Sequence, residues 1–227
     1  MTHNSDRSEN IDLICIDDYP DGEAFSAYIL PFPLIYKRLP KEELALDIDK
    51  KWKQRQLRIQ FLDGSDALRR RVKAHALEWT KYANIEFVFE DYPDAEIRVS
   101  FKGKGCRSML GTDALKRPSP LPTMQLGQFH ENMDDTRMRA IVLHEFGHVL
   151  ACVHEHASPT FNIPWDKEKV YAYYKERAGW SKELVDLNVL NRYTFHEVEA
   201  SARHDPDSIM QYPIDQSLTV GNFEIDW

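Results

Sequence analysis

The stretch VLHEFGHVLACVHEH, residues 142–156, decides how this sequence is read. His144 and His148 lie four apart inside an apolar run. On a helix that spacing puts both imidazoles on one face, one turn apart, where both can reach one metal ion. Neutral imidazole is a zinc ligand, and zinc prefers four ligands in a tetrahedron. Glu145 stands beside the first histidine. Its carboxylate can meet a water activated by the metal and take its proton as general base. A third histidine, His154, follows six residues after His148. At about 100° per residue it falls about 240° around the helix and faces away from the metal. It can ligate only if the helix breaks between the two. Glycine makes such a break by taking a left-handed conformation. The residue here is Ala151, for which that conformation costs about 1–2 kcal/mol. Zinc binding contributes far more, so a break at Ala151 is tolerable. If the helix instead runs on, Glu155, seven after His148, returns to the metal face, and the ligands are His144, His148 and Glu155. The residues alone leave both readings open.

The rest of the chain narrows the class. At 227 residues it suits one domain, or one domain in two lobes. The net charge of −8 gives no electrostatic footprint for nucleic acid or an anionic membrane. Its longest apolar runs are far too short to span a bilayer. Cys15, Cys106 and Cys152 are too few, and odd in number, for a disulfide framework. The first residues, MTHNSDRSEN, hold no apolar signal core. The expected location is intracellular if Met1 is the native start, and outside the cell if a leader has been removed.

Two regions are expected. Residues 1–50 read as an acidic, proline-spaced N-terminal extension, with seven acids against one arginine between Met1 and Ser26. Residues 51–227 read as the catalytic domain, with an upper lobe over 51–154 and a lower lobe over 155–227. In the upper lobe, QLRIQFL (56–62), NIEFVFE (84–90), AEIRVSF (95–101) and PTMQLGQF (122–129) read as strands. DALRRRVKAHALEWTKYA (66–83) reads as a helix with Leu68, Val72 and Trp79 on one face. KGKGCRSMLGT (102–112) reads as a loop without phosphate-loop spacing. Residues 134–153 form the strongest helix, with capping acids at its start. Residues 164–180 and 181–193 also read as helices. The order predicts a mixed α/β (α+β) fold.

Three motifs then resemble the metzincin zinc peptidases, and among them the astacin-like group. HEFGHVLACVHE is similar to H-E-x-x-H-x-x-G-x-x-H followed by Glu. SIMQY, residues 208–212, resembles the S-x-M-H-Y segment that contains the Met-turn. GCRSMLGT, residues 105–112, is similar to a G-C-x-S-x-x-G stretch. The resemblance spans residues 51–227. It implies a twisted, mostly parallel sheet with an antiparallel edge strand, an active-site helix and a mainly helical C-terminal lobe. It implies one catalytic Zn2+ held by His144, His148 and His154, Glu145 as base, and Met210 in a turn beneath the metal. It makes Tyr212 a mobile ligand that swings to stabilise the oxyanion. It suggests that the strand containing Glu96, Ile97, Arg98, Val99 and Ser100 is the edge that pairs with an extended substrate. The implied partner is a peptide or protein substrate, with no nucleic acid, no membrane and a monomeric chain. In astacins the acid at Glu155 reaches the trimmed N-terminus, whereas some fifty residues precede the domain here.

The sequence departs from the family pattern at four places. Ala151 stands for the turning glycine, and Gln211 for the histidine before the tyrosine. Cys106 lacks its usual disulfide partner, and the chain stops seventeen residues after Met210. Cys15 or Asp17 in the extension could each ligate zinc and block it, although no family latency motif surrounds them. His75, His130, His196 and His204 read as ordinary histidines, and His156 as a neighbour of the site or a surface residue. Two functions follow: a zinc endopeptidase, or a latent or inactive zinc-binding pseudo-peptidase that binds peptides without cutting. The intact Glu145 favours the first.

Overall fold

The computed structural model describes residues 44–221 and 223–225. Most of the expected N-terminal extension, with Cys15 and Asp17, lies outside the described residues. The packed body begins ahead of Lys51. Ala45 is buried, and β1 (Leu46–Asp47) pairs antiparallel with β7 (Val198–Glu199).

Alternating apolar residues build the sheet. In β2 (Gln56–Phe61), Leu57 and Ile59 are fully buried, as period-two patterning requires. The strand order is β3 (Glu86–Phe89), β2, β4 (Ile97–Ser100), β6 (Met124–Leu126), β5 (Cys106–Ser108). The first four run parallel, and β5 is antiparallel to β6. This is the mixed α/β fold with an antiparallel edge strand that the sequence predicts. No helix among the described residues is long and apolar enough to cross a membrane.

One expectation is corrected. The strand with Ile97, Arg98, Val99 and Ser100 is not the edge, because β2 and β6 flank it on either side. All four residues are buried, as in a parallel strand covered on both faces. Arg98 is committed internally: its guanidinium donates to the carbonyls of Ala95, Leu121 and Arg117. Glu96 is held by Arg58, and Ser100 donates to Asp63. The sheet's edges are β3 and the antiparallel β5, which lies inside the stretch expected to be a loop. A three-residue strand between glycines carries no usable periodicity, so its residues gave no strand signal.

Helices α1 (Asp66–Ala76) and α2 (Asp135–Val149) pack beside each other. Their apolar side chains share one core with those of the sheet. Ser65 caps α1 and Asp134 caps α2, each accepting from a backbone N–H three residues on. Helix α2 is buried over nearly its whole second half, from Ile141 to Val149. A helix apolar on every side belongs in an interior, and here it is also tied down by tryptophans. Trp79 Nε1 donates to the Leu143 carbonyl at 2.9 Å, and Trp52 Nε1 to the Val149 carbonyl at 2.6 Å. After residue 154 come α3 (Lys167–Ala178), the short α4 (Lys182–Val185) and a π-turn (Asp186–Leu190). The helix predicted over 181–193 is continuous from Lys182 to Leu190 and changes from α to π turns at Asp186.

Helix α2 ends between His148 and His154, as ligation by His154 requires. Ala151 has φ +69°. Its N–H donates to the His148 carbonyl at 2.9 Å, and the Cys152 N–H to the Gly147 carbonyl at 3.0 Å. This paired closure satisfies the last carbonyls of a helix around one left-handed residue. The strain is held from outside. The Asp47 N–H donates to the Ala151 carbonyl, the Val153 N–H donates to the Ala45 carbonyl, and Leu46 bridges Cys152. The alanine methyl has a place because Gly111 has none of its own. A Cβ on Gly111 would sit 2.9 Å from Ala151 Cβ and 2.1 Å from the Lys50 carbonyl oxygen.

Gly111→Ala therefore meets backbone that cannot yield, at a positive φ of its own. It should destabilise the metal-free protein by about 3 kcal/mol in urea unfolding. Ala151→Gly, which trades relieved strain against a lost methyl, should stay within about 1 kcal/mol of wild type.

Candidate metal centre and active site

The broken helix brings three imidazoles together. His144 and His148 come from α2, and His154 from the chain just past the break. All three are buried, and among the described residues they form the group able to hold a metal ion. Their Nε2 atoms make a near-equilateral triangle with sides of 3.1, 3.2 and 3.3 Å. A tetrahedral ion bonded to three imidazole nitrogens at about 2.0–2.1 Å holds them about 3.3 Å apart. The triangle fits zinc.

The protonation pattern fits as well. His144 Nδ1 lies 2.8 Å from the Ile209 carbonyl, and His148 Nδ1 lies 2.9 Å from the Cys152 carbonyl. A carbonyl only accepts, so in each ring Nδ1 carries the proton and Nε2 turns its lone pair inward. Burial, with the neighbouring rings of His148, His144 and His156, holds His154 well below the ordinary imidazole range. The fold thus crowds neutral nitrogen donors together without protons to share, an arrangement that a cation resolves.

Glu155, the alternative ligand of an unbroken helix, points elsewhere. Its N–H donates to the Met210 carbonyl, and its Oε1 accepts from the Asp205 N–H at 3.3 Å.

Glu145 is buried beside His144. After burial itself, its charge is the next cause that pushes the Cys106 thiol of β5 well above its usual range. Helix α2 packs against that edge strand. Cys106 and Cys152 are buried free thiols, and burial pushes Cys152 up to about 12. Neither is poised as a nucleophile.

The second half of the chain closes the centre from below. Ser208 is buried and its Oγ accepts from the Met210 N–H, while its carbonyl accepts from the Gln211 N–H. This turn drives Met210 against the helix. A Cβ on Gly147 would lie 2.4 Å from Met210 Sδ, so the glycine of HEFGH is where the methionine sits. Tyr212 stacks next to the triangle, with ring centroids 4.2 Å from His154, 4.9 Å from His156 and 6.0 Å from His144. His156 is buried rather than on the surface. Burial lowers its pKa to about 4, so it serves as a neutral aromatic wall.

His144, His148, His154, Glu145, Met210 and Tyr212 are therefore gathered at one place, and the strand with Glu96, Ile97, Arg98, Val99 and Ser100 is not its edge. The G-C-x-S-x-x-G stretch includes Gly111, but nothing local gave it the role of making room for Ala151, and residue patterns missed the β1 segment that pins the turn. Two left-handed positions meeting in space leave no trace in local sequence.

Residues 45–220 match the family model for the Astacin peptidase family. No curated protein matches the chain. Among solved structures, one of myroilysin is 42% identical, with a TM-score of 0.76, covering 80% of this chain and 89% of that one. A second myroilysin structure is 35% identical, with a TM-score of 0.59, covering 94% and 90%. High choriolytic enzyme 1, a hatching enzyme zinc-protease from Oryzias latipes, is 16% identical, with a TM-score of 0.46 and 78% coverage of each chain. With the motifs and the three-histidine centre in place, the match over 45–220 identifies this chain as a member of the astacin peptidase family, and so as a zinc metalloendopeptidase.

Proposed function

We propose that the chain hydrolyses internal peptide bonds at the three-histidine centre, with Glu145 as general base and Tyr212 as oxyanion donor. The observation that carries this reading is the Nε2 triangle of 3.1–3.3 Å beside a buried carboxylate. His144, His148 and His154 hold the ion. Zinc bound there supplies Lewis acidity, polarising the scissile carbonyl and lowering the pKa of a water towards ~7. Glu145 accepts the proton of that water and passes it to the departing amine. The Tyr212 O–H donates to the carbonyl oxygen as negative charge grows on it. Met210, packed under Gly147, keeps the ligand helix from shifting. The extended substrate pairs with β5, the outermost strand at this end of the sheet, instead of with β4.

The test compares wild type with Glu145→Gln on casein, with zinc supplied. Gln keeps the shape and removes the base. It should lower kcat by about 10³ or more while zinc content stays stoichiometric. A wild type that binds zinc and casein yet leaves casein intact would instead be a peptide-binding pseudo-peptidase.

Proton release on zinc binding gives a second check. At pH 6, three ordinary imidazoles would release about 2.3 protons together. His154 is held neutral by burial, so it has no proton to give, and the release should fall below that figure. Calorimetry in buffers of different ionisation enthalpy measures it. Chelation should abolish cleavage and lower the melting temperature, because the ion binds only the folded chain.

A further inference from the structure

Next to Tyr212 lies a hydrogen-bonded relay that the peptidase mechanism leaves unused. Gln211 is fully buried. Its Nε2 donates to the Tyr212 carbonyl at 2.6 Å, and its Oε1 lies 2.7 Å from His204 Nε2. The Tyr212 carbonyl only accepts, so the amide must turn its nitrogen to Tyr212 and its oxygen to His204. His204 must then carry its proton on Nε2. The His204 ring lies flat on Phe161, with centroids 4.1 Å and planes 14° apart. Phe161 packs in turn on Phe223, with centroids 5.6 Å apart. The neighbouring Asp205 N–H donates to Glu155 Oε1, which ties this segment to the residue after the third histidine. Side chains from three separate stretches thus converge to fix one peptide carbonyl. Rotation of that peptide would redirect the Cα–Cβ bond of Tyr212 and carry the phenol with it.

We propose that His204 is a positioning residue: through Gln211 it fixes the Tyr212 backbone and so aims the phenol at the three-histidine centre. The proposal rests on the reading of Tyr212 as the oxyanion donor. It differs from a merely structural role, in which the pair only satisfies buried polar groups, because its effect must pass through one hydroxyl.

The experiment is a double-mutant cycle of His204→Phe and Tyr212→Phe in the full zinc-loaded chain. Phenylalanine keeps the stack on Phe161 and removes the donor. His204→Phe should lower kcat about tenfold with KM within about twofold and zinc content unchanged. In the Tyr212→Phe background it should cost no further kcat. His204→Gln places an Nε2 donor the same number of bonds from Cβ and should restore most of kcat. A readout without activity comes from metal-free protein labelled with 3-fluorotyrosine. The Tyr212 fluorine resonance, assigned by its loss in Tyr212→Phe, should move in His204→Phe and return in His204→Gln. Equal losses in both backgrounds would show a structural role and overturn the proposal. So would an unchanged kcat in His204→Phe where Tyr212→Phe is impaired. A fully active Tyr212→Phe would remove the oxyanion reading and this proposal with it. If His204→Phe does not fold, Gln211→Met takes its place in the cycle, with the same outcomes for and against.

Discussion

The end of helix α2 is the constraint on which the site depends. Two of the three histidines are placed by helical spacing alone, but the third arrives only because the chain reverses at Ala151 with φ +69°. Left-handed alanine costs about 1–2 kcal/mol. The surroundings absorb that cost through hydrogen bonds to the Ala151 carbonyl and from the Val153 N–H, both made with β1 and its neighbour Ala45. Gly111 completes the arrangement by leaving space for the methyl. A glycine is still needed for this turn. It stands opposite the turn in space rather than within it.

Much of this was legible in the residues, and for identifiable reasons. Leu57 and Ile59 in β2, and Leu68 and Val72 in α1, follow the periods of strand and helix, so burial and pattern agree. Asp134 announces the start of α2. The π-turn after Val185 was hidden because Leu187, Val189 and Leu190 still suit a helix. The central position of β4 was misread for a related reason. A four-residue strand does not say whether one or two neighbours lie beside it, and the three carbonyls that surround the Arg98 guanidinium come partly from residues some twenty positions away.

The site divides along the same line. Residues whose chemistry is local, such as His144, Glu145 and His148, were readable from spacing. His154 was readable only as a conditional, since its role depends on the conformation of Ala151. What local sequence could not carry are the contacts that close over distance. Met210 fills the space of the missing Gly147 side chain, and the Ile209 carbonyl orients His144. His204 meets Gln211 seven residues on only because the intervening turn folds back. The first two join the second half of the chain to α2, and the third lies within the second half, beside Tyr212.

The clamp on Ala151 also ties the centre to a distant part of the chain. Ala45 and Asp47 meet residues 151 and 153 across more than a hundred positions of sequence. Closing contacts of that span costs the entropy of a long loop. Without them the left-handed alanine would keep only the hydrogen bonds of its own turn. The geometry of the centre is therefore coupled to an N-terminal edge that supplies none of its three histidines.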